Sequence, residues 1–403
     1  MTGPSPQQHP LRRLFSNPDF VRLWAVGGVS NAMRWIEILV AGIYTFEATQ
    51  SAFAVSLVAL MRAVPMLLFG AVAGALAETL DRRRLLMAGQ ATSCASAVVI
   101  LLLAAWGALE VWHLVLASFI GGLVWTGEMA SRRRMVTEVA GERDVVPAVA
   151  TDSLTANTTR MAGPLLGGLL YETLGVAFAF GVSAACYVGT FVLLAGVGHA
   201  QARRRFLPRQ LAADVADAAQ VVRRFPVLQA VILVTIAMNI FGFSVIAVLP
   251  ALGAQAFGAT PFQIGMLTAA EPAGALLMGL FMASRRGVPL SGGLMVGGCM
   301  LFMLCLLLVG LSQSLVVALA MLMLGGIGTA LFSALQTALP VTRAPAEARS
   351  RVLGLVTTCI GMGPVGALTI GVLADRAGPG LAITIMACGG LVMLGFTAWV
   401  LRR

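Results

Sequence analysis

Runs of about 20 apolar residues, each long enough to cross a bilayer core, follow one another down this chain with short polar turns between them. Twelve can be drawn: Phe20–Glu47, Ala52–Ala77, Leu85–Gly107, Trp112–Ala130, Ala148–Tyr171, Ala177–Gly198, Pro226–Pro250, Phe262–Ala283, Leu290–Gly310, Ser314–Gln336, Val352–Val372 and Leu381–Leu401. Gly, Ala and Ser recur within them at the close spacing that lets helices approach in a membrane. The pattern predicts an all-α polytopic membrane protein with twelve transmembrane helices.

The longest polar stretch, His199–Arg224, lies between the sixth and seventh runs. It divides the chain into a cytoplasmic N-terminal segment (1–19), a six-helix bundle (20–198), a cytoplasmic linker (199–225) and a second six-helix bundle (226–403). The halves echo each other. An offset of 209 residues pairs Ser51 with Thr260, Val55 with Ile264, Arg62 with Glu271 and Gly70 with Gly279, and Gly163-Pro164 answers Gly363-Pro364. Weak internal symmetry of this kind marks secondary transporters, which bind substrate between repeats near the bilayer midplane.

Composition agrees, at 59% hydrophobic and 11% charged residues. The net charge of +10 would suit a nucleic-acid partner, but its distribution argues against one. All 27 basic residues are arginines, gathered at alternate turns: Arg12 and Arg13, Arg82–Arg84, Arg132–Arg134, Arg203–Arg205, Arg285 and Arg286, Arg343 with Arg349 and Arg351, and Arg402 and Arg403. Arg376 stands apart. The positive-inside rule then places both termini in the cytoplasm of a multi-pass protein of a bacterial inner membrane. The lead-in with Pro4, Pro6, His9 and Pro10 lacks the shape of a signal peptide, and Leu11–Arg22 reads as an amphipathic approach to the first span. Six cysteines fall inside the runs at no metal-binding spacing, and the three histidines lie at or beyond helix ends. Neither metal, cofactor nor ATP is expected, because no Gly-rich phosphate loop is present. No constellation recommends an enzyme.

Between runs two and three, Gly74-Ala-Leu-Ala-Glu78-Thr-Leu-Asp81-Arg82-Arg83-Arg84 resembles the cytoplasmic loop motif of the major facilitator superfamily, with Glu78 and Thr79 where that family carries Asp-Arg. Arg160-Met-Ala-Gly163-Pro164-Leu-Leu-Gly167-Gly168 resembles the Gly-Pro motif of its exporters. Asn17-Pro18-Asp19-Phe20-Val-Arg22-Leu-Trp24, Ser30-Asn31 and Leu373-Ala-Asp375-Arg376-Ala-Gly378 are similar to the subgroup that includes the enterobactin exporter. Helix four, Leu114 to Thr126, lacks the intramembrane arginine of the better-known drug–proton antiporters. The resemblance implies two pseudo-symmetric bundles working by alternating access as a monomer among membrane lipids. It also implies that helices one and two are neighbours, that five and eight face across the halves, and that one and seven line the cavity.

A charge near the bilayer centre costs at least ~2.5–3.5 kcal/mol on insertion scales, so the embedded charges are the first candidates for function. At ~1.5 Å per residue, Glu37 and Arg62 lie at matching depth, with Arg34 one turn away, which predicts an Arg34/Glu37/Arg62 cluster. Glu271 and Arg160 likewise match, predicting an ion pair between the halves. Static register-fixing pairs are the plain alternative for both. Glu128, one turn before Arg132, reads as a local or gating salt bridge. Asn31, Trp35, Trp125, Asn239 and Phe243, with Met238 and Phe241, are cavity candidates or ordinary packing. The resulting expectation is export of a small amphipathic or chelating molecule by proton antiport, with Glu271 and then Glu37 as coupling carboxylates. Import, lipid or lysolipid flipping and membrane sensing remain as rivals.

Overall fold

The computed structural model describes residues 10–198, 220–284, 289–345 and 348–402. The linker residues 199–219, Arg203–Arg205 among them, and Arg285 and Arg286 lie outside the described residues, as do the side chains of residues 71–79, including Gly74 and Glu78.

The described chain is helical throughout. A short α1 (Pro10–Ser16) leads to α2 (Pro18–Thr49), α3 (Ala52–Thr79), α4 (Arg82–Ala105) and a kinked helical segment, α5 (Val111–Ala195). Then come α6 (Pro226–Ala237), α7 (Leu249–Phe257), α8 (Pro261–Ser284), α9 (Gly292–Leu311), α10 (Leu315–Arg343), α11 (Arg349–Ile360), α12 (Gly363–Ala377) and α13 (Pro379–Arg402). Among the described residues, nine helical stretches are long and apolar enough to cross a membrane. The α2 helix falls short of that measure because Asn31, Arg34 and Glu37 dilute its hydropathy.

Local chemistry sets the boundaries. Asn17 caps α2, its side chain accepting from the backbone N–H of Asp19 and Phe20, with Pro18 in the first turn. Asp81 caps α4 by accepting from Arg84 N–H. Within α5 the chain turns at Gly141 (φ 71°) and Gly175 (φ 77°), conformations that cost glycine little and other residues much. They divide it into three arms, 111–140, 142–174 and 176–195.

Two runs read from the sequence as single helices are interrupted. The seventh passes from α6 into a wide π-type turn, Met238–Gly242, and a tight 3₁₀ turn, Phe243–Ala247, before α7 resumes. Pro250, which lacks an N–H, sits in the first turn of the resumed helix. The eleventh run breaks between α11 and α12 at Gly361-Met362, where Pro364 again opens the new helix.

One apolar core joins α6–α13 around Val231, Met238, Phe302, Leu322 and Met386, and takes in Phe46 of α2 and Ala52 and Val55 of α3 at the seam. The N-terminal half has its own cores, around Ile36, Ile100 and Phe180 and around Phe20, Leu86, Met135 and Leu194. Large apolar side chains such as Leu68, Val188, Val192, Val316 and Val392 point outward, as expected of a perimeter solvated by lipid rather than water.

One end of the N-terminal half is arginine-rich and heavily cross-linked. Arg13 holds Asp144 through two hydrogen bonds of 3.1 and 2.6 Å. Arg82 reaches Glu138 at 2.6 Å, Arg83 donates to the carbonyl of Leu194 at 3.0 Å, and Arg22 donates to that of Gly196. Towards the opposite end lie two polar contacts between the halves: Ser51 donates to Asp375 at 2.8 Å and the backbone N–H of Phe262 to Glu172 at 2.8 Å.

Candidate substrate cavity and the ion pair at the seam

A cavity of about 220 Å³ lies in the N-terminal half. It is lined by Asn31, Arg34 and Trp35 of α2, by Trp125, Glu128 and Arg132 of the first arm of α5, and by Asp152, Asn157 and Arg160 of the second. Its charges form a connected chain. Arg34 donates to Asn31 at 2.9 Å and to Glu128 at 3.1 Å. The other oxygen of Glu128 lies 3.6 Å from Arg132, and Arg132 donates to Asp152 at 2.5 Å. Indole rings flank this chain. The Arg34 guanidinium carbon stands 5.1 Å from the centre of the Trp125 ring, and that of Arg160 5.7 Å from Trp35. At such distances the ring quadrupole attracts the cation. Asn31 is fixed by donating to Thr159 at 2.6 Å.

Arg160, at the cavity edge, donates to Glu271 of α8 at 2.5 Å. Thr329 of α10 donates to the other Glu271 oxygen. The carboxylate is 7% exposed and is held from both halves at once. Among the described residues, this is the sole ion pair joining them. Glu271 and Asp375 are also the only described carboxylates in the C-terminal half, and both reach across the seam.

The helix-five motif explains how the second arm comes so near to both neighbours. A Cβ on Gly163 would stand 2.5 Å from Cβ of Trp35, and one on Gly167 3.1 Å from Cα of Ile36. On Gly168 it would stand 2.5 Å from the Pro261 carbonyl oxygen. One helix thus touches α2 on one side and α8 on another. Pro164 has no N–H to offer the Arg160 carbonyl one turn back, which removes a helical bond at the residue that bears the ion pair.

The structure redraws the expected Arg34/Glu37/Arg62 cluster. Arg62 faces Glu37 at 3.6 Å, but Arg34 bonds to Glu128 instead. Three residues along a helix leave two side chains ~60° apart, so Arg34 faces the first arm of α5 while Glu37 faces α3. Glu37 and Arg62 also border a separate space of about 20 Å³ with Ser93, Ser96 and Ser118, room for roughly one water. Glu128 keeps its expected neighbour Arg132 and gains Arg34.

The candidates from the seventh run do not line the 220 Å³ cavity. Asn239 donates to the Thr235 carbonyl of its own helix at 2.9 Å. Phe243 packs 6.1 Å from Phe302 and 5.9 Å from Phe332, Met238 is fully buried, and Phe241 lies against Gly389. The π-type turn adds a residue to one turn and so rotates everything after it out of α-helical register. In the loop motif, Asp81 serves as a helix cap and Arg82 as the partner of Glu138. Asp152, Thr329 and Tyr187, which stands beside Glu37, are site residues the sequence reading missed. Asp152, a lone carboxylate within an apolar run, carried the signal that marked Glu37. Thr329 carried none.

A family profile described as "Transmembrane secretion effector", of the major facilitator type, matches residues 10–402. The chain belongs to this family. It is therefore a multi-pass membrane transporter and not an enzyme. It is similar to the macrolide efflux protein A of Streptococcus pyogenes, 22% identical over 93% of this chain and 94% of that one. It is also similar to the multidrug efflux pump Tap of Mycolicibacterium fortuitum, 26% identical over 88% of each. The fold matches that of the POT family transporter PepTSo with a TM-score of 0.77 at 14% identity, covering 96% of this chain and 98% of that one.

Proposed function

We propose that this transporter exports a small amphipathic or chelating molecule across the bacterial inner membrane by alternating access, driven by proton antiport. In this reading twelve spans form two six-helix bundles, 20–198 and 226–403, working as a monomer in the efflux branch that includes the enterobactin exporter. The arginine-rich end and both termini face the cytoplasm, in keeping with the positive-inside rule. Two indoles beside a chain of charges suit a substrate with both a ring-like apolar body and polar groups, and the efflux relatives support the outward direction.

The observation that carries the reading is the Arg160–Glu271 pair. The other polar contacts between the halves, Ser51 with Asp375 and Glu172 with Phe262, lie towards the end opposite the arginines, so the cavity is approached from the arginine-rich side. Rocking the halves apart at the closed end strains the pair, and a carboxylate that loses its cation in a poorly solvated place gains proton affinity. Substrate enters while the pair is formed. After outward release Glu271 takes a proton, the empty carrier returns, and loss of that proton to the cytoplasm restores the pair.

The test is compound accumulation in an efflux-deficient host, comparing empty vector, wild type, Glu271→Gln and Glu37→Gln at matched membrane abundance. A compound depleted by wild type and retained by Glu271→Gln supports carboxylate-coupled export. Equal depletion by both removes Glu271 from the coupling role, and depletion lost only in Glu37→Gln moves that role to Glu37. No compound depleted across a broad panel would overturn export.

A further inference from the structure

A second and larger space, about 620 Å³, lies on the arginine-rich end of the C-terminal half, between the starts of α6 and α9 and the ends of α10 and α13. Its chemistry is two-layered. Arg343 and Arg402 stand at the mouth, both exposed, and among the described residues neither guanidinium has an ion-pair or hydrogen-bond partner. Among the described residues no carboxylate lines the space. Below the mouth the walls turn apolar, through Val296 and Leu401 down to Met300. Met300 is nine residues along α9 from Ser291, or ~13 Å at the helical rise, which reaches past the headgroup layer into the acyl region. The floor is smooth, because Gly297 leaves open space where a Cβ would stand.

We infer that this groove binds an anionic phospholipid, its phosphate between Arg343 and Arg402 and one acyl chain along the Gly297 face of α9. Basic pockets between helix ends are suited to anionic headgroups. Charge complementarity selects this occupant: a zwitterionic lipid gains less from two arginines with no carboxylate among the described lining residues, and a soluble anion leaves the apolar floor uncovered. The site lies in the C-terminal half, away from the cavity and the ion pair. It stands independently of what the transporter carries.

Native mass spectrometry tests the assignment. The full chain is reconstituted in vesicles of phosphatidylcholine and phosphatidylglycerol, extracted in mild detergent, and its retained lipids are counted. Wild type is expected to retain phosphatidylglycerol preferentially. Arg343→Gln with Arg402→Gln should lower that retention about thirtyfold, the factor for two charges at a membrane surface. Arg12→Gln with Arg133→Gln, an equal loss of exposed charge in the N-terminal half, should leave it unchanged. Gly297→Leu, which keeps both arginines but fills the floor, should also lower it. The inference is overturned by any of four results: no preference in wild type, equal loss in the charge control, full displacement by inorganic phosphate, or a wild-type dimer that Gly297→Leu converts to monomer.

Discussion

Arg160 and Glu271 meet at 2.5 Å across the seam, and the second oxygen of Glu271 is taken by Thr329 from within its own half. Thr329→Val removes a hydrogen bond to a charged group and should cost about 1.5–3 kcal/mol, read as a lower unfolding midpoint in detergent. In a double-mutant cycle with Glu271→Gln the costs should add to less than their sum, since both residues act on one carboxylate. Strict additivity would show that the hydroxyl acts elsewhere.

Glu128 serves two arginines, whereas Asp152 serves one. Glu128→Gln takes from Arg34 its carboxylate partner and leaves Arg132 with Asp152 alone. Losing one member of a buried pair costs about 3–5 kcal/mol, so this variant should sit in that range and Asp152→Asn clearly below it. Thermal unfolding of the two purified variants ranks them, and the reverse order would contradict the chain of pairs.

The clasp between α1 and the turn at Gly141 should respond to acid. The hydrogen bonds from Arg13, with its positive charge, hold the Asp144 carboxyl below its ordinary value, which is about 3.9. A lowered folded-state pKa gives a contribution present above the unfolded value and lost as pH falls through the folded one. Wild-type α1 should therefore resist proteolysis from neutral pH down to about pH 4 and become cleavable below it. Asp144→Asn should be cleaved several-fold faster than wild type at neutral pH, and no faster once the wild-type carboxyl is protonated. Release of wild-type α1 near pH 6 would exclude Asp144 as the controlling group.

Gly168 sets how tightly the second arm of α5 meets α8. Gly168→Val places side-chain atoms against the Pro261 carbonyl, so the seam cannot close at that end, and transport should be lost with protein still in the membrane. Gly168→Ala should fall between. A cysteine at Thr260, in a background without the native cysteines, should react several-fold faster with maleimide in the valine variant. An unchanged rate would mean that the helices slide past the obstruction.

What the sequence discloses here follows from how local each determinant is. Membrane spans depend on the solvent alone, so hydropathy finds them. The Arg160–Glu271 pair is legible because both residues lie at matching depth on helices that the resemblance brings together. Direction around a helix axis is harder. Arg34 and Glu37 share a helix and nearly a level, yet which way each points is set by α3 and α5, and depth arithmetic carries no such angle. The π-type turn at Met238 is beyond the pattern altogether, since an extra residue in one turn leaves hydropathy unchanged while altering which way the residues after it point.

Both described carboxylates of the C-terminal half are committed to the N-terminal half, Glu271 to Arg160 and Asp375 to Ser51. Within itself the C-terminal half is thus cohesive by shape, while the N-terminal half is stitched by charge. The two will therefore fail under different insults. Ionic strength and charge-reversing substitutions bear on the N-terminal half, and changes of side-chain volume bear on the C-terminal half. A saturation-mutagenesis map should change character at the linker, from intolerance of sign to intolerance of size.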